Sequence, residues 1–144
     1  MSTTYKIKPG TFKYIESEIY SYSENKKEID RLRLAILNPT KSSDENIIYG
    51  PLEKRLPVRT TEVMATRLLT NKMLRNLEEM VEAVEYDYNR LSDDRKKVIE
   101  LKYWNKDRKL KMEQIASECH KHRNTVSSIR RNFVKAVAMH VGMK

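Results

Sequence analysis

Between positions 122 and 131 the chain reads His-Arg-Asn-Thr-Val-Ser-Ser-Ile-Arg-Arg. Wound into a helix, this stretch puts most of its polar side chains on one side. His122, Arg123, Asn124, Ser127, Ser128 and Arg131 face away from Val126 and Ile129. These residue types share one chemistry, hydrogen bonding to the edges of bases. Arginine offers a donor fork that matches guanine, and asparagine pairs a donor and an acceptor with adenine. The two serines are short enough to let a backbone come close. A second group, Lys109, Lys111, Gln114, Thr125, Arg130 and Lys135, suits phosphate oxygens. Such contacts give salt-dependent affinity and carry no sequence information. The first six are candidate base readers on double-stranded DNA, and the second six are candidate phosphate contacts.

A reading helix needs a second helix behind it. The spacing predicts helices near Met112–Cys119 and Arg123–His140, with Ala116 where they touch. Ile115, Cys119, Val126 and Ile129 fill the shared apolar face. This is the pattern of a helix-turn-helix, in which the first helix supports the second in the major groove. Two positions depart from it. His120 stands in the turn where glycine is usual, and Lys121 follows where an apolar residue is usual. They predict a longer or differently shaped turn, with the lysine stem packed and its charge in solvent. One helix upstream, Ser92 is expected to accept from free amides of the first turn. Asp93 and Asp94 suit the positive end of that helix. It should run to about Trp104, burying Val98, Ile99, Leu101 and Tyr103 or Trp104. Asn105 to Lys109 reads as a polar linker.

Charge follows the same boundary. Ser92 to Lys144 holds 14 Lys and Arg against 6 Asp and Glu, a balance of +8 out of the +9 of the whole chain. The concentration on one segment, more than the pI near 9.6, points to a polyanionic partner.

Upstream the pattern is helical but less basic. Phe12, Ile15, Ile19, Tyr22, Ile29, Leu32 and Ile36 predict one long helix over Thr11 to Leu37, its seam interrupted around Asn25-Lys26-Lys27. Asn38-Pro39 ends it. Residues 38–60 read as a connector rich in turn formers, including Gly50-Pro51 and Pro57. Within it, Ile47-Ile48-Tyr49 suits either a short strand or a cover for a core edge. Thr61 to Leu91 predicts a second long helix with a seam of Met73, Leu77, Met80, Val84, Tyr88 and Leu91. Neither seam can be buried by its own helix. They would pack as a hairpin or on a second copy of the chain.

The expected architecture is all-α. Residues 1–91 form a helical hairpin or oligomerisation scaffold, and residues 92–144 form the DNA reader. A homodimer or higher homo-oligomer would set two readers on one duplex.

Other chemistries fit the residues poorly. Cys119, His120 and His122 cluster, but a fourth zinc ligand would have to come from distant His140 or a carboxylate. No glycine-rich phosphate loop, nucleophile elbow or metalloprotease helix occurs, so no enzyme and no cofactor are expected. Glu78, Glu79, Glu82 and Glu85 read as a solvated helix face. Tyr14, Tyr20, Tyr22, Tyr86 and Tyr88 read as core or interface in preference to a base-stacking platform. No apolar run approaches the ~18 residues of a membrane span. The start lacks a secretory pattern, and one cysteine allows no internal disulfide. A reducing cytoplasm is the expected location.

The stretch Leu91-Ser-Asp-Asp-Arg-Lys-Lys-Val-Ile-Glu-Leu-Lys-Tyr-Trp104, followed by the two helices above, resembles the DNA-binding region 4 at the end of bacterial sigma factors. A closer resemblance covers most of the chain. Thr70-Asn-Lys-Met-Leu-Arg-Asn-Leu-Glu-Glu-Met-Val-Glu-Ala-Val, the Leu-Lys-Tyr-Trp stretch and the ending Val-Lys-Ala-Val-Ala-Met-His-Val-Gly are similar to the RinA/ArpU group of phage transcriptional activators. That resemblance implies a regulator of late or packaging-associated phage genes that binds promoter DNA and recruits host RNA polymerase. A small terminase subunit also couples a helix-turn-helix to an oligomerising helical region, though usually with the reader first. A pure interaction protein whose basic tail binds an acidic partner is the rival of a different class.

Overall fold

A computed structural model describes residues 6–37, 52–106 and 109–144, with the backbone alone for 52–60. The expectation for Ile47-Ile48-Tyr49 lies outside the described residues. All regular structure among the described residues is α-helical: α1 (Pro9–Tyr20), α2 (Tyr22–Leu37), α3 (Leu52–Asn89), α4 (Asp93–Tyr103), α5 (Met112–Glu118) and α6 (Arg123–His140). The chain is therefore all-α, as its composition predicts.

The expected boundaries shift at two places. The first helix, expected to be continuous, breaks at Ser21, whose N–H turns back onto Ser17 O at 3.0 Å. The second begins at Leu52, inside the stretch expected to be connector. Leu52-Glu-Lys-Arg-Leu56 are all good helix formers, a signal that the weight given to Pro57 as a turn former obscures. Extending an existing helix is also far easier than starting one.

Contacts divide the chain into two compact units, one of Met1–Ser23 with Glu79–Lys144 and one of Glu24–Glu78. The boundary expected between residues 91 and 92 falls inside the first unit. The reason is visible in its core. Ile15 and Ile19 of α1, Met80, Ala83 and Val84 of α3, and Val98, Ile99 and Tyr103 of α4 join one cluster. Ile115, Ala116, Val126, Ile129, Phe133, Val134, Val137 and Ala138 complete it from α5 and α6. The apolar positions of α6 recur every three or four residues, which presents one continuous stripe to its neighbours. The three helices of the basic segment bury too little by themselves, and α1 and the end of α3 supply the remaining cover. Leu101, expected in the core, is half-buried at its edge, and of Tyr103 and Trp104, one of which was expected inside, Tyr103 is buried and Trp104 half-buried.

Polar bonds fasten α1 to this core. Trp104 Nε1–H donates to Ile19 O at 2.9 Å. Tyr103 O–H and Arg130 Nε–H both donate to Glu16 Oε2, at 2.6 and 2.7 Å. Burial pushes the Glu16 carboxyl up, but the bonds from Arg130 and Tyr103 outweigh it and hold it below its ordinary value. Burial, and after it the same carboxylate, pushes the Tyr103 hydroxyl far above the ordinary phenol range.

In the second unit Ile29 and Leu32 are buried, and Arg33 pairs with Glu78 at 2.7 Å. Leu34, Leu37, Met64, Leu68, Leu69 and Met73 are exposed apolar side chains. Met73 thus lies outside the core that takes Met80 and Val84 from the same predicted seam. Of the carboxylates read as a solvated face, Glu79 and Glu82 are exposed. Glu78 holds Arg33, and Glu85 accepts from Tyr22 O–H.

Candidate nucleic-acid interface

α5 and α6 follow the expected limits closely, and their contact is made as the residue types predict. Ile115 and Val126 are fully buried, Ala116 and Ile129 nearly so, and Cys119 packs at the edge of the cluster. Burial raises the Cys119 thiol above its ordinary value, leaving it a poor nucleophile. Lys97 Nζ reaches Glu118 O at 3.3 Å, bracing the end of α5 from α4.

The turn between α5 and α6 explains the two departures from the motif. His120 has φ 54°, the left-handed region. Its N–H bonds Ser117 O at 3.3 Å, and Lys121 N–H bonds Ala116 O at 2.9 Å. These two bonds close a Schellman cap, the ending for which glycine is preferred. The chain repeats the device at the end of α6. There Gly142 has φ 76°, with Gly142 N–H on Met139 O at 3.1 Å and Met143 N–H on Ala138 O at 2.9 Å. His120 therefore does a glycine's work at some backbone cost. Lys121 packs its stem as expected, and its ammonium stays at the exposed surface but is not alone there. It pairs with Asp94 Oδ2 at 2.6 Å. The Lys121 bond, with one from Ser92, holds the Asp94 carboxyl well below the usual carboxylate range. Ser92 stands at the N-cap of α4, yet its hydroxyl donates to Asp94 Oδ1 at 2.6 Å and accepts no first-turn amide.

Of the candidate base readers, Arg123, Asn124 and Arg131 are exposed, and Ser127 and Ser128 are half-buried on the flank of α6. Arg123 is only loosely held, its Nε 3.8 Å from Glu113 Oε2 across an exposed gap. His122 is exposed but already employed. Its Nδ1 accepts from Asn124 N–H at 3.1 Å and caps α6.

The candidate phosphate contacts divide. Lys109, Lys111 and Thr125 are exposed and Lys135 is half-buried. Gln114 is exposed but serves α5, since Lys111 N–H donates to its Oε1 at 2.8 Å. A lysine side chain has no acceptor to return that bond, so only one arm of a capping box forms. Arg130 departs most from expectation. It is tied to Glu16 and sits 5.2 Å from the Phe12 ring centroid, a structural position facing α1.

Beside α6 lies a groove of about 430 Å³ whose walls include Arg90, Arg95, Lys121, Thr125, Ser128 and Asn132, with Asp87 and Asp94 among them. Arg90, Arg95 and Asn132 were not singled out from sequence. Their common position depends on the end of α3 and the start of α4 meeting one flank of α6. The only sequence signal was the short basic run Arg95-Lys96-Lys97.

No curated protein and no solved structure matches the chain. A family model does match, over residues 13–139, and by that measure the chain belongs to DUF722, described as a protein of unknown function.

Proposed function

We propose that this protein is a double-stranded-DNA-binding transcriptional regulator that reads sequence with α6. One observation carries the reading. Arg123, Asn124 and Arg131 stand exposed on a helix whose opposite face is clamped by α5 through Ile115 and Ala116. A rigidly backed helix that presents arginine and asparagine is what major-groove recognition requires. The +8 balance of residues 92–144 supports a polyanion as partner. Lys109, Lys111, Thr125 and Lys135 remain the proposed phosphate contacts, and Arg90 and Arg95 extend that set along the groove. Arg130 leaves it, and Gln114 and His122 act first as caps.

The resemblance to the RinA/ArpU group supports a finer reading, activation of phage late genes through host RNA polymerase. Self-association through the exposed apolar residues of α2 and α3, Leu34, Leu68 and Met73 among them, would place two readers on one duplex. Small-terminase and acidic-partner roles remain rivals of this reading, and mass in solution together with DNA discrimination separates them.

The test is footprinting with purified protein at defined salt, followed by Arg123→Ala and Asn124→Ala on the protected site. Each should cut discrimination between protected and random DNA by roughly 1–3 kcal/mol while leaving the fold intact. Equal affinity for all DNA in the unaltered protein would refute sequence reading.

A further inference from the structure

A second cavity, of about 470 Å³, lies on the first compact unit between the start of α2, the end of α3 and α4. Three aromatic rings line it. Trp104 stands 5.3 Å from Tyr22 and 5.2 Å from Tyr88, centroid to centroid, the Tyr88 contact being edge-on. Two carboxylates complete the wall, Glu85 and Glu100, accepting from the hydroxyls of Tyr22 and Tyr88 respectively. Its described lining residues include no lysine or arginine. In a chain with net charge +9, an aromatic and acidic pocket is a local reversal of sign.

We infer that this pocket binds an organic cation, an alkylammonium or guanidinium group held against Tyr22, Tyr88 and Trp104 and neutralised by Glu85 and Glu100. Ring faces carry the negative lobe of the aromatic quadrupole, and tryptophan attracts cations most strongly. A partly closed site strengthens that attraction by excluding water. The chain's own cations already use its rings in this way. Lys96 sits 5.4 Å from the Tyr88 centroid, and Lys102 sits 5.7 Å from that of Tyr20. Lys96 is not among the residues lining the cavity, so it engages Tyr88 from outside. The two phenol–carboxylate bonds fix the rings and the acids together, so the pocket is assembled before any ligand arrives. Burial and the Glu100 carboxylate push the Tyr88 hydroxyl up to about 12, so it stays a neutral donor throughout the working range. None of these residues belongs to α5 or α6, so the inference stands apart from the DNA reading.

Trp104 is the only tryptophan, so its emission reports on the pocket directly. The full chain is titrated with choline chloride, with its uncharged carbon analogue 3,3-dimethylbutan-1-ol, and with sodium chloride at matched ionic strength. Choline should shift the emission saturably, and the analogue and the salt should not. Glu100→Gln removes one exposed carboxylate with no loss of packing, and it should weaken choline roughly two- to fivefold. Acetyl-arginine amide and acetyl-lysine amide, run in parallel, separate the sources. Tighter binding of either amide marks a protein partner's side chain, and tighter binding of choline marks a small ammonium compound. Equal responses to choline and its uncharged analogue, no response to any cation, or undiminished choline binding in Glu100→Gln would each overturn the assignment.

Discussion

Glu16→Gln tests how the first helix is joined to the basic segment. Glu16 and Arg130 have side chains 15% and 27% exposed, so their pair is shielded but not dry. Two unit charges about 4 Å apart attract by about 4 kcal/mol at an effective dielectric of 20, and desolvation offsets part of that. Counted the other way, hydrogen bonds to a charged group contribute about 1.5–3 kcal/mol. Glutamine keeps the size and one neutral acceptor, so the expected loss is about 2 kcal/mol. The measurement is urea unfolding followed by Trp104 emission, which reports on the unit holding both partners. A cycle with Arg130→Gln isolates the pair, and its coupling should fall within roughly 0.5–3 kcal/mol.

The dependence on pH has a definite sign. The folded Glu16 carboxyl lies below its ordinary 4.5. Its contribution is therefore complete above that value and is lost as pH falls through the lower folded one. The stability curves of the two proteins should diverge at neutral pH and converge in acid. A loss under about 0.5 kcal/mol, the level of an ordinary surface change, with no convergence in acid, would refute the argument.

Three further perturbations probe the candidate interface. Ala116→Leu forces extra methyl groups into the α5–α6 contact, where Ala116 is 6% exposed. It should cost about 1–3 kcal/mol by thermal unfolding and abolish DNA binding near the melt. His120→Gly relieves a left-handed residue and should raise stability by about 1 kcal/mol in urea titration, since glycine's extra unfolded-state entropy takes back part of the relief. A neutral or destabilised variant would show the turn to be held differently. Lys111→Ala should weaken all DNA alike and lower the salt slope by about one unit, read from affinities at several salt concentrations.

The local signals in the sequence were strong where a helix carries its own punctuation. The α6 stripe of Val126, Ile129, Phe133 and Val137, with a turn residue on each side, marks its element from either end. The small Ala116 marks the contact behind it. The break at Ser21 and the extension of α3 back to Leu52 were not legible. Serine and proline bias a helix without deciding it, and neighbouring packing settles the outcome. Nor was the employment of Arg130 legible. A basic residue on an amphipathic helix looks the same whether it faces phosphate or a carboxylate brought from 114 positions away.

Sequence by itself determined the helical class, the limits of α4, α5 and α6, and the charge of the last third. Those properties follow from periodicity, capping and composition, all of which act within a few residues. Tertiary structure alone decided that Ile15 and Ile19 complete the core of the basic segment, that Lys121 pairs with exposed Asp94, and that Arg130 turns to part-buried Glu16. It also gathered Tyr22, Tyr88 and Trp104 around one acidic cavity. Each of these joins residues distant along the chain, and such pairings arise only when separate helices bury their apolar stripes against one another.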